Sequence, residues 1–141
     1  MQNLWIVKIE CVSGRYLEET CAKICEIQSG YELEDLHYFI LHNFKFDNDH
    51  LHNFFISRRH RGSDQTFLED ESITLDRIFP LKKKHFLFFY FDYGDDWIFK
   101  ITRMRKKVVF SEGVLYPRVI EQIGKDPEQY LAHEEYYEED V

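Results

Sequence analysis

The sequence predicts an α+β fold, with one mainly antiparallel or mixed sheet of about five strands and one main helix packed on one face in a β-grasp-like plan. Three observations predict it. Residues 4–11 alternate apolar and polar with the period of a strand, residues 32–44 switch to a helical period, and residues 85–93 are apolar on both faces, as in a central strand. The expected order is strand, strand, helix, strand, short helix, strand, strand.

Each element has its own warrant. In "LWIVKIEC", Trp5, Val7, Ile9 and Cys11 share one face opposite Lys8 and Glu10. After Gly14, "TCAKICEIQ" opposes Ala22 and Ile24 to Cys21, Lys23, Cys25 and Ile27, which favours a second strand over a helix from Tyr16 to Gln28. In "ELEDLHYFILHNF", Leu33, Leu36, Ile40 and Phe44 recur at helical spacing, and Glu34 and Asp35 put negative charge where the helix dipole favours it. Asn and Asp side chains bond their own backbone, so "DNDH" (47–50) reads as a turn, and "HLHNFFIS" (50–57) resumes strand chemistry. Residues 58–73 read as irregular and polar, and "TLDRIF" (74–79) as a short helical turn stopped by Pro80. "HFLFFYFDY" (85–93) and "WIFKITRMR" (97–105) complete the sheet, and residues after Lys107 are expected to wrap the surface.

A chain of 141 residues with 17% aromatic residues is long enough for one packed core. Residues 1–130 are expected to form a single domain, followed by an acidic tail over 131–141. Of the formal charge of −8, five units sit on Glu134, Glu135, Glu138, Glu139 and Asp140, which leaves −3 for residues 1–133. Basic residues cluster instead in "SRRHR" (57–61), "LKKKH" (81–85) and "KITRMRKK" (100–107). Cys11, Cys21 and Cys25 lack CxxC spacing and read as small apolar strand residues rather than a disulfide or zinc framework. No run is long and apolar enough for a membrane span, and "MQNLWIVKIE" lacks the features of a secretory signal, so the expected location is the cytoplasm with no membrane association.

The segment Asp92-Tyr93-Gly94-Asp95-Asp96-Trp97 contains the YGDD tetrapeptide of RNA-dependent polymerases, but the chain is too short for the rest of such an enzyme. Between two apolar strands, Gly-Asp suits the centre of a type II′ hairpin turn, with Gly94 expected at φ > 0. Asp92 is expected to accept hydrogen bonds from turn amides or from His37. Asp92, Asp95 and Asp96 could collect a divalent cation through oxygen ligands, although further carboxylates usually join such sites. His37 falls near the buried stripe of the helix, bonded to a carboxylate or carbonyl, while His50 and His52 are expected on one strand face without an identifiable third ligand. No metal or cofactor is therefore assigned. Arg103 and Arg105 are expected on the same strand face as Trp97 and Phe99 and, with Lys106 and Lys107, to offer a charge-plus-aromatic surface for single strands. A P-loop, a GxSxG elbow and a GxGxxG fingerprint are all missing.

Three segments, "LEDLHYFILHNFKFDNDHLHNFFI", "TLDRIFPLKKKHFLFFYFDYGDDWIFKI" and "YPRVIEQIGKDPEQY", together resemble the plasmid pRiA4b ORF-3-like family, small proteins found near plasmids and mobile elements. Many relatives have Phe in place of Tyr93, a His shortly after the Trp where this chain has Phe99, and a Pro-rich acidic continuation where it has "GKDPEQY". The resemblance implies an α+β fold and brings no established activity. The function expected from residues and resemblance together is a cytoplasmic accessory or binding domain associated with mobile elements, without catalysis. One alternative is a metal-dependent hydrolase or nuclease using Asp92, Asp95, Asp96 and nearby histidines; another is a module that binds nucleic acid weakly. The partner is unknown, and a protein partner is equally compatible with the sequence.

Overall fold

The computed structural model describes residues 2–130, so the acidic tail expected over 131–141 lies outside the described residues. The elements are β1 (Leu4–Ser13), β2 (Cys21–Gln28), α1 (Leu33–Asn43), β3 (His52–Ser57), β4 (Thr66–Phe67), α2 (Leu75–Ile78), β5 (Phe86–Phe91), β6 (Trp97–Val108) and β7 (Arg118–Ile123). The strands form one seven-stranded sheet in the order β4-β3-β5-β6-β1-β2-β7, with each adjacent pair antiparallel.

The expected α+β plan of about five strands with one main helix does not hold, because the chain is mostly sheet. The two additional strands are β4 and β7, one at each edge. Both residues of β4 are exposed, and five of the six in β7 are exposed as well. Neither strand therefore has the buried face whose alternation would reveal it in sequence. Pairing along β2 recruits residues 118–123 into the sheet, where a surface wrap was expected.

One face of the sheet carries the main core. Trp5, Val7, Ile9 and Cys11 of β1 meet Cys25 and Ile27 of β2, Phe54 of β3, Leu87, Phe89 and Phe91 of β5, and Trp97, Phe99 and Ile101 of β6. Over them lies α1, burying Leu33, Leu36, His37, Ile40 and Leu41 along one stripe. The helix ends at Phe44, and Lys45 takes the left-handed conformation (φ 62°), from which Phe46 turns back to bond the Leu41 carbonyl at 2.8 Å. Phe46 then packs 4.8 Å from Trp97, which anchors the segment leading to β3. The opposite face carries a smaller cluster of Phe55, Phe88 and Ile98. All three cysteines are buried strand residues, as expected.

Candidate functional site

The antiparallel hairpin of β5 and β6 divides the chemistry between its two ends. At the turn, Phe91 pairs with Trp97, leaving a five-residue connection from Asp92 to Asp96 rather than a two-residue type II′ turn. The left-handed residues are Asp92 (φ 57°) and Asp96 (φ 61°), whereas Gly94 is not in that region. Asp is one of the few residues whose short polar side chain makes this conformation tolerable, so the two carboxylates take the role expected of the glycine. The Asp92 carbonyl accepts from the amides of Asp95 (3.1 Å) and Asp96 (2.7 Å), which closes the loop.

The three carboxylates of this turn diverge. Asp92 is buried; its Oδ1 accepts from the Asp95 amide (3.3 Å), and its Oδ2 lies 3.3 Å from His50 Nε2. A turn amide thus bonds Asp92 as expected, but the histidine beside it is His50, not His37. Asp95 pairs with Arg15 at 3.5 Å. Asp96 turns to the other side, where Tyr90 (2.7 Å), Ser13 (3.0 Å) and Arg61 donate to it. This pairing takes Arg61, from the first basic cluster, to the turn.

His50 precedes β3, which starts at His52, and the two rings lie beside Phe91 and Phe89 of the same core face but make different polar contacts. His50 Nε2 donates to the Tyr130 hydroxyl (2.8 Å), which in turn donates to Asp49 Oδ2 (2.8 Å). Partial burial and the Asp49 hydrogen bond, reinforced by the charges of Asp49, Asp92 and Asp95, keep the Tyr130 hydroxyl protonated well above the ordinary phenol range. Gln129 clamps the same segment through Asp47 and Asp49. His52 joins a separate cluster: its Nε2 lies 2.9 Å from both oxygens of Glu71, and its ring stacks on His37 with centroids 3.8 Å apart. His37 bonds the side-chain carbonyl oxygen of Asn48 (3.2 Å). Burial, with the positive charge of a protonated His52 as a smaller influence, lowers the His37 pKa. Glu71 was not visible as a partner in the sequence, because it sits in an irregular acidic run without periodicity.

At the other end of the hairpin, the segment after α2 and the end of β6 enclose a cleft of ≈ 820 Å³. Its walls carry Lys82, Lys83, Lys84, Arg103, Arg105, Lys106 and Lys107, and among the described residues no Asp or Glu lines it. Among the described residues none of these seven cations pairs with a carboxylate, and all are exposed. Two local irregularities shape it. Lys84 is left-handed (φ 63°), and the turn is closed by the His85 amide bonding the Lys82 carbonyl at 3.0 Å. In β6, Met104 pairs with Ile6 and Lys107 with Trp5, so Arg105 and Lys106 bulge out of register. A bulge re-aims side chains that a regular strand would fix. The expected stacking surface of Trp97 and Phe99 is absent, since both are fully buried beneath α1 and the Phe46 segment. Arg103 instead lies 3.9 Å over the Trp5 ring, itself a buried residue.

Comparison with known proteins agrees with this architecture. The chain superposes on the crystal structure of a protein of unknown function, MM3350 from Methanosarcina mazei Go1, with a TM-score of 0.66 over 86% of this chain and 70% of that one, at 20% identity. That likeness concerns the fold alone. No curated protein matches the chain. Among the described residues no helix is long and apolar enough to cross a membrane. The family model for plasmid pRiA4b ORF-3-like proteins matches residues 16–139, nearly the whole chain and all three segments that carry the resemblance, and the chain belongs to that family.

Proposed function

We propose that the protein is a non-catalytic accessory domain of plasmids or related mobile elements that binds nucleic acid through its phosphate backbone. The observation that carries the reading is the cleft: seven Lys and Arg side chains from two separate segments, without a carboxylate among the described residues that line it, in a chain of net charge −8. Concentrating positive charge on one surface of an acidic protein creates a local field that attracts a polyanion while the rest of the molecule repels it. With Trp97 and Phe99 buried, recognition rests on phosphates rather than on stacked bases. We take residues 1–130 as the binding domain. The cytoplasm, which holds plasmid DNA and keeps three free thiols reduced, is its compartment.

The test is fluorescence anisotropy of labelled duplex and single-stranded oligonucleotides against the full chain at low salt. Binding should weaken linearly in log–log salt plots, with about −0.9 of slope per phosphate neutralised on duplex and about −0.7 on single strands. Arg105→Gln with Lys106→Gln should make the duplex slope shallower by about two units. No anisotropy change with micromolar protein, or equal affinity after both substitutions, would refute the reading.

A further inference from the structure

His37, His52 and Glu71 come together from α1, β3 and the segment between β4 and α2, and none of the three lines the basic cleft. We propose that these three side chains bind a divalent transition-metal ion, zinc being the best fit.

The donor set points to the class of ion. Two imidazoles and one carboxylate suit zinc and its neighbours, whereas calcium and magnesium favour all-oxygen sites. The spacing is close to what coordination requires. One ligand atom from each residue lies within 4.8 Å of the others, and His52 Nε2 is already 2.9 Å from Glu71. Bonds of about 2.0–2.1 Å in a tetrahedral site put ligand atoms roughly 3.3 Å apart, so the His37 contact must close by roughly 1.5 Å at most, and one of the two imidazoles, stacked at 3.8 Å and 25°, must turn out of the stack for both nitrogens to face one ion.

The surroundings favour the neutral donors that a metal needs. His37 is buried at 5% exposure, and its burial keeps the imidazole unprotonated at neutral pH. Both rings rest against Phe89, each with its centroid 5.6 Å away. Glu71 is held from its backbone, whose carbonyl accepts from the Glu34 amide at 3.0 Å in the first turn of α1. Taking up the ion exchanges the His52–Glu71 and His37–Asn48 hydrogen bonds for coordinate bonds, so no side chain has to leave the cluster. Three protein ligands leave at least one position for water or another ligand, the arrangement of an open rather than a closed zinc site.

The full chain, freed of any affinity tag, would be titrated with Zn²⁺ by calorimetry and with Co²⁺ by visible absorption. One equivalent should bind, with ligand-field bands for Co²⁺ and a higher melting temperature in Zn²⁺ than in EDTA. His52→Gln and Glu71→Gln should each weaken binding at least tenfold, while His50→Gln and Asp49→Asn leave it unchanged. The wild-type spectrum and melts remain decisive even if a variant does not fold. The proposal is overturned by no Zn²⁺ binding at micromolar concentration, by binding that survives both cluster substitutions, or by binding lost in His50→Gln instead.

Discussion

Asp92 is buried, left-handed at φ 57°, and bonded through its side chain to the Asp95 amide and next to His50, so substitutions there separate backbone strain from side-chain bonding. Asp92→Asn keeps both a residue type that tolerates this conformation and an oxygen for the Asp95 amide. It loses only the charge opposite His50, whose side chain is 39% exposed and therefore screened. The expected cost is about 1 kcal/mol. Asp92→Ala loses the acceptor, at about 1–3 kcal/mol, and forces a Cβ residue without local hydrogen bonds into the left-handed region at about 1 kcal/mol more, for a total of about 2–4 kcal/mol. Asp92→Gly loses the same acceptor without the steric penalty and should be about 1 kcal/mol more stable than Ala. Urea unfolding at neutral pH, followed by tryptophan emission, reads all three, because Trp97 is fully buried in the fold and becomes solvated on unfolding. The predicted order of stability is wild type, Asn, Gly, Ala. If Ala equals or exceeds Gly, Asp92 is not strained; if Asn costs as much as Ala, the charge opposite His50 outweighs the turn.

Other expectations follow from the same structure. An added Cβ at Gly14 would lie 1.9 Å from Trp97 Cε3, whereas at Gly94 it meets nothing closer than 3.6 Å, so in urea melts Gly14→Ala should cost about 1–3 kcal/mol and Gly94→Ala less than about 0.5 kcal/mol. Burial pushes Cys11 and Cys25 up to about 12 and Cys21, also opposed by Asp126, up to about 11; a thiol-disulfide reagent at mildly alkaline pH should therefore label none of them natively and all three in urea. The His37 pKa is lowered from 6.5, so below about that pH the unfolded chain binds the proton first. Stability should fall on acidification from about pH 6.5 down to the lowered native pKa, and His37→Gln should lessen the fall in the urea midpoint between about pH 7.5 and about pH 5.5. Truncation after Tyr130 should leave the melting temperature within a few degrees, while truncation after Asp126 removes the Gln129 clamp on Asp47 and Asp49 and should lower it by more, as read by calorimetry.

Legibility in the sequence followed burial. Strands β1 and β2 and helix α1 were visible by period and β5 as a run apolar on both faces, and each of them, with β6, places apolar residues on the main core. The edge strands β4 and β7 bury almost nothing, so only their hydrogen-bonding partners define them. The same distinction separates the histidine clusters. His37 was legible as a stripe residue because α1 is regular, but its neighbours Asn48 and Glu71 come from irregular segments whose course depends on tertiary contacts. The carboxylate turn misled for a different reason. Gly94 has the residue type that a two-residue turn wants, yet pairing stops at Phe91 and Trp97 and the strain falls on the flanking aspartates.

The basic cleft, by contrast, was derivable from the hairpin itself. Antiparallel register opposes Leu87 to Ile101, and continuing that register toward the open end sets His85 opposite Arg103 and Lys83 opposite Arg105. Any hairpin that pairs "FLFFYF" with "WIFKIT" across a short turn must therefore bring the "LKKKH" and "RMRKK" segments together. Like charges placed face to face destabilise a sheet. The chain ends β5 at Phe86 and bulges β6 at Arg105 and Lys106, which splays the two walls into an open cleft instead of pairing them. Solvation alone does not require seven cations to meet without a carboxylate among the described lining residues, since single Glu residues at Lys83 or Lys106 would relieve the repulsion at no steric cost on exposed positions. An arrangement that accepts this repulsion in the free protein is one that a bound polyanion relieves, so charge neutralisation should stabilise the fold as well as form the complex.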